Sequence, residues 1–209
     1  MSHHALFSAL AMALTLVGFY PYLRGILSGS TRPHVFSGVI WAITTLVVFF
    51  AQIEAGGGIG AWPIGVSGVL TTLIAVLAWR RWGDVSITRA DCVFLVLALS
   101  SLPLWYLTDD AMWAVVVLTV VDLLGFGPTF RKVRAAPYSE SSGLYGLFAL
   151  HNAAVVLALE QHSIATVLFP AAIGAACVAL VLLIACANIL GVIESHFVWE
   201  GARATGSEV

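Results

Sequence analysis

The sequence predicts an all-α integral membrane protein of seven transmembrane helices, built as two parallel three-helix repeats joined by one inverting helix (3+1+3), with the amino terminus outside and the carboxy terminus inside. Three observations predict it. Of 209 residues, 60% are hydrophobic and 10% charged, and the mean hydropathy is +1.00, which leaves too little polar surface to cover a water-soluble globule. The nine Lys and Arg residues all fall between alternate pairs of apolar runs, the asymmetry that orients membrane helices. A Gly-Phe-x-Pro-x-x-Arg pattern occurs at 18–24 and again at 125–131, 107 positions later.

A spanning helix needs about 20 mostly apolar residues, and such runs lie at 5–23, 35–53, 61–79, 92–107, 111–130, 143–159 and 164–187, the fourth and sixth being short. The first is a retained helix and not a cleaved leader, because Phe19, Tyr20, Pro21 and Tyr22 occupy the place of a small-residue cleavage site. Arg24 and Arg32 follow the first run, Arg80, Arg81 and Arg89 the third, Arg131, Lys132 and Arg134 the fifth, and Arg203 the seventh. The opposite loops carry Glu54, Asp109, Asp110 and Glu160 and no Lys or Arg. This places the chain as a multi-pass protein of the cell (inner) membrane. The cysteines, Cys92, Cys177 and Cys186, lie in or beside apolar runs, and nine residues of one helix put the last two about 13 Å apart, too far to bridge.

Sliding the chain on itself by 107 residues aligns Gly18 with Gly125, Phe19 with Phe126, Pro21 with Pro128 and Arg24 with Arg131, and near the third helix of each unit Trp62-Pro63 with Phe169-Pro170. The division is therefore 1–83 for the first unit, 84–108 for a linker, 109–193 for the second unit and 194–209 for a cytoplasmic tail. The linker run is interrupted by Pro103, has no counterpart in the repeat, and restores the orientation that a direct fusion would invert. Parallel repeats about an axis normal to the membrane are a transporter plan with its site at the repeat interface.

The segment Pro128-Thr129-Phe130-Arg131, the polar stretch leading to Ser141-Ser142 and Asn152 in the sixth run give the chain, over residues 5 to 187, a resemblance to the SWEET, semi-SWEET and PQ-loop transporters. The resemblance implies a 3+1+3 bundle and lining of the pocket by Asn152. It is a divergent one. Tyr22 and Thr129 follow the two prolines where the strict signature has glutamine, and Ile64 before Ser67 and Ala171 before Gly174 replace the Asn-x-x-Gly of sugar carriers.

Asp122 is the one acid well inside a predicted span. A charge at the bilayer centre costs at least ~2.5 kcal/mol, so its carboxylate is expected to face the bundle interior as a proton-coupling or cation-recognising group, or else to tie two helices together by a hydrogen bond. His151 and Asn152 are expected at similar depth, one of them within reach of Asp122. Their counterparts in the first unit are Thr44 and Thr45, with Trp41, the counterpart of Phe148, one turn earlier. Substrate-binding candidates are thus Asp122, His151, Asn152, Trp41, Thr44 and Thr45. Pro21 and Pro128 are candidate gating kinks; Pro63 and Pro170 sit in first turns and read as structural. Gly56-Gly57-Gly58 and Gly60 read as an external turn.

These features favour a transporter of a small polar solute working by alternating access, with a proton or a cationic cargo at Asp122. The alternative is a receptor or assembly subunit that binds a ligand or partner without moving it. A retinal photoreceptor lacks its lysine, since Lys132 is the only one and falls in a loop; no HExxH pair suggests a metalloenzyme. No enzyme activity, metal or cofactor is expected, and no nucleic-acid partner. The expected partners are the bilayer and a small molecule. One copy suffices to enclose a path, and a homo-oligomer is compatible with it.

Overall fold

The computed structural model describes residues 2–31, 33–80, 83–135 and 142–204, and of residues 128, 131, 132, 135 and 188–204 the backbone alone. The described chain is all helix: α1 His3–Leu27, α2 Val35–Glu54, α3 Trp62–Arg80, α4 Arg89–Thr108, α5 Ala111–Ala135, α6 Ser142–Ala158 and α7 Ile164–Ala204. α1, α2, α4, the segment Gly58–Arg80 that contains α3, and the first part of α7, Ile164–Ala187, are each long and apolar enough to cross a membrane. The apolar part of α5, Ala111–Gly127, and α6 are shorter. Several apolar helices of this length make it a multi-pass membrane protein.

Helix ends follow local chemistry. Thr88 and Asp91 form a capping box, so α4 begins three residues before its apolar run and reaches 20 residues. Pro103 lies inside α4 without interrupting it, against the sequence expectation. α1 likewise passes through Pro21 and ends only where Gly29 turns left-handed at φ 77°, with the Ser28 N–H donating to Arg24 O and the Gly29 N–H to Ile26 O. A proline removes one backbone bond, and at an exposed position such as Pro21 the rest of the helix carries on. α7 runs on past the expected end of the second unit at 193.

Within the first half of the chain α3 packs against both α1 and α2; within the second, α7 packs against both α5 and α6. The halves meet along two seams, α1 with α6 and α2 with α5. α4 lies outside, against α5 and α2, burying only Ala98 and Ser101 and leaving Val93, Val96, Leu99, Leu102 and Leu107 exposed. The main core joins Ala11, Val48, Ile64, Leu118, Val155 and Phe169 from six helices, and a second cluster of Val133, Leu180 and Ile184 ties α5 to α7.

The two ends of the bundle are built differently. At the end carrying the α1–α2 and α3–α4 connections, the Val35 N–H donates to Asp84 O, the Asp84 N–H donates to Pro33 O, and the His34 ring meets Ser86 O. The Ser86 backbone and side chain hold the Asp84 carboxyl below the usual carboxylate range. At the other end the halves are laced together: Gln52 Nε2 donates to Thr166 O at 2.6 Å, Glu160 N to Gly57 O at 3.2 Å, and Ile59 N to Glu160 Oε1 at 3.3 Å. The 3₁₀ turn Gly58–Ala61 fits there because Gly56 and Gly58 have positive φ and because Gly60 has no Cβ. A methyl at Gly60 would overlap the backbone of Ala158 and Leu159. Gly60→Ala is therefore expected to lower the thermal midpoint in detergent, at a cost of about 1–3 kcal/mol, whereas Gly127→Ala, with nothing within 4 Å of its added methyl, should leave it unchanged or raised; parallel melting curves check both.

Candidate functional site

Between the two halves lies a cavity of about 290 Å³. α1 lines it with Thr15 and Phe19, α2 with Trp41 and Thr45, and α3 with Ile64, Ser67 and Thr71. α5 contributes Asp122, Gly125, Phe126 and Thr129, α6 Tyr145, Phe148, His151 and Asn152, and α7 Phe169, Ile173 and Cys177. α4 contributes nothing. The lining residues of α1, α2, α5 and α6 fall towards the end where α1 finishes and α2 begins, while Ile64 and Phe169 stand in the first two turns of α3 and α7, nearer the laced end.

The contacts across the seams come in pairs that exchange under the 107-residue shift. Thr15 Oγ1 of α1 lies 3.1 Å from His151 Nδ1 of α6; at the shifted positions, Thr44 of α2 is the hydroxyl beside the Asp122 carboxylate of α5. Gly18 of α1 faces the Phe148 ring of α6, and Gly125 of α5 faces the Trp41 indole of α2. Within α2 Thr45 Oγ1 donates to Trp41 O at 2.7 Å, and within α6 Asn152 Nδ2 donates to Phe148 O at 2.8 Å. Each half thus presents its first helix to the second helix of the other half, as two copies related by a two-fold axis would.

Five of the six binding candidates, Asp122, His151, Asn152, Trp41 and Thr45, line this one cavity. Thr44 does not: it is fully buried behind it, its hydroxyl donating to Trp41 O at 3.0 Å. The expected approach of His151 or Asn152 to Asp122 is not found. α6 packs on α1 and α5 on α2, so the histidine meets Thr15 and the Ala11 carbonyl, and the aspartate meets Thr44. Pro21 is exposed and lines nothing, and the side chain of Pro128 lies outside the described residues. The aromatic walls Phe19, Phe126 and Tyr145 were not singled out as lining, although the first two belong to the repeated motif. Ser67 enters the sequence reading only as the residue at the glycine position of the sugar-carrier motif, and Thr71 carries no sequence signal that sets it apart from other helix hydroxyls.

Hydrogen bonding fixes what the polar groups offer. His151 Nδ1 lies 3.1 Å from Ala11 O, which can only accept, so Nδ1 carries the proton and a neutral ring presents Nε2 as an acceptor. Thr15 Oγ1 donates to the same carbonyl at 2.9 Å and so receives the Nδ1 proton rather than giving one. The Asn152 amide must turn its NH₂ to Phe148 O, leaving its oxygen free of that bond. Asp122 Oδ1 is buried without a partner. Thr44 can accept from a protonated Asp122 or redirect its own proton to an ionised one, so the site accommodates both forms. Among the described residues no trio of His, Cys, Asp and Glu converges as a metal site.

No family model, no curated protein and no solved structure matches this chain.

The hydrogen-bond pattern separates the two polar residues by role. Asp122→Asn replaces an oxygen that bonds nothing and should leave the thermal midpoint unchanged or raised. His151→Ala removes the side-chain bonding of α6 to Thr15 and the Ala11 carbonyl of α1 and opens a void, and should cost about 2 kcal/mol or more; thermal unfolding of both variants in one detergent measures the contrast.

Proposed function

We propose that this chain is a transporter of a small polar solute, a divergent relative of the SWEET, semi-SWEET and PQ-loop carriers, in which two parallel three-helix units alternate the access of a central cavity. The observation that carries the proposal is the set of exchanged contacts, Thr15–His151 with Thr44–Asp122 and Gly18–Phe148 with Gly125–Trp41. Two units that meet through like surfaces around a central cavity can rock against each other, parting at one end while they close at the other, and the cavity lies near the pivot of that motion. Seven spans follow if α5 and α6 cross as well; at 1.5 Å per residue the 17 residues of α6 reach ~25 Å, enough for a helix packed inside a bundle.

The orientation proposed is amino terminus outside and carboxy terminus inside. The end towards which the lining of α1, α2, α5 and α6 falls carries Arg24, Arg80, Arg89 and Arg134, and the laced end carries Glu54, Asp109, Asp110 and Glu160, which supports an inward-facing conformer under the positive-inside bias. Gln52–Thr166 and Glu160–Gly57 are then the contacts that part when the outer side opens. Asp122 is the titratable wall, and its exchange of a proton across the cycle would couple flux to a proton gradient.

In sealed vesicles of purified protein, a solute that binds the wild type should be taken up, an imposed proton gradient should drive its accumulation, and Asp122→Asn should abolish the gradient-driven component, lowering uptake at least tenfold. Stoichiometric binding with no flux in the same vesicles would assign the chain instead to the receptor or assembly-subunit class.

A further inference from the structure

The polar groups of the cavity are unequal in hydrogen-bonding sense. Asp122 lines it with a carboxylate of which one oxygen has no partner, His151 presents an unprotonated Nε2 when neutral, and the Asn152 amide, with one N–H donating to Phe148 O, keeps its oxygen as an acceptor. The hydroxyls of Thr15, Thr45 and Thr71 each donate to a carbonyl of their own helix, at 2.9, 2.7 and 2.8 Å, so only their lone pairs remain for a ligand. The hydroxyls of Ser67, Thr129 and Tyr145 and the Trp41 indole line the cavity as well, and among the described lining residues Asp122 is the one carboxylate. Around them stand aromatic rings from both halves, Phe19, Trp41, Phe126, Tyr145 and Phe148, whose faces attract cations. Among the described residues no Lys or Arg lines the cavity.

We infer that the ligand of this cavity is a small organic monocation bearing ammonium N–H donors and no carboxylate, held by Asp122 as counter-charge and by the aromatic walls. This rests on the cavity being the solute site of the proposed transporter. An ammonium group donates to the Asp122 carboxylate, to His151 Nε2 and to the Asn152 oxygen, and its alkyl or aryl body meets the rings. A zwitterionic amino acid would bring a carboxylate that finds no cation and faces Asp122, an arrangement that costs several kcal/mol when desolvated. A neutral alcohol of the same shape would forgo the ion pair. The cavity's ~290 Å³ sits at the small end of ligand pockets, which suits an amine of a few to about ten non-hydrogen atoms.

The test uses the full chain in detergent with three matched sets of probes: ethylammonium, ethanol and alanine; 3-methylbutylammonium, 3-methylbutan-1-ol and leucine; 2-phenylethylammonium, 2-phenylethanol and phenylalanine. Thermal shift and equilibrium dialysis are read for wild type, Asp122→Asn and Trp41→Leu. At least one ammonium ion should raise the midpoint and bind tenfold or more tightly than both its alcohol and its amino acid. Asp122→Asn should lose that preference while staying folded, and Trp41→Leu, which keeps Asp122, should weaken the same ion severalfold. No shift with any ammonium ion, equal binding of the alcohol or the amino acid, or an unchanged preference in Asp122→Asn would overturn the inference. Its failure is distinct from failure of the transport reading. If a neutral probe binds and is taken up by vesicles, the cation inference falls and transport stands; if the ammonium ion binds without flux, the reverse holds.

Discussion

Polar side chains inside an apolar bundle need partners, and here two of them, His151 and Asp122, meet a hydroxyl across the boundary between two halves of the chain. Thr15 receives His151, and Thr44 stands beside Asp122. In hydrocarbon an unpartnered polar group is costly, so these pairs fix how the halves sit, and the cavity is the space their pairing encloses. The glycines complete the constraint. Gly18 and Gly125 let the first helix of each half approach the aromatic residue of the opposite second helix, and an added methyl at Gly18 would press on Leu147 at 2.9 Å. What distinguishes the halves is chemistry placed on a common frame: hydroxyls on one side, an acid and an imidazole on the other.

Much of this was legible in the residues. The seven α-helices lie where the apolar runs lie, because an apolar helix is read from length and hydropathy, and Asp122, His151, Asn152, Trp41 and Thr45, singled out from depth and the 107-residue shift, line one cavity. Pairing was not legible. Equal depth suggested His151 beside Asp122, but depth says nothing of which helices are neighbours; only the packing of α6 on α1 and of α5 on α2 decides that. The start of α4 and the end of α1 depend on a capping box and a left-handed glycine, short-range features that hydropathy does not weigh. Pro21 and Pro103 read as breaks, yet each lies within an intact helix at an exposed position, where the missing bond disturbs no neighbour.

The asymmetry between the ends bears on mechanism. Gly60, seated against the backbone of Ala158 and Leu159, and the Gln52–Thr166 and Glu160–Gly57 bonds fit the halves tightly together at this end. Towards the other end the lining consists of rings, Phe19, Phe126 and Tyr145, that can reorient without breaking backbone bonds. A closure made of a few hydrogen bonds and one close glycine contact is of a size that a rocking motion between packed helices can break and remake.

The central claim is that one cavity is reached in turn from both faces of the membrane. Thr45→Cys, in a background where Cys92, Cys177 and Cys186 are replaced by serine, puts a thiol on the cavity wall. A membrane-impermeant thiol reagent applied to oriented vesicles, first from one face and then from the other, measures access directly. The account predicts modification from both faces, with a bound solute changing the two rates in opposite directions or slowing both. Modification from one face only, with the other inert under every condition of solute and proton gradient, would contradict it.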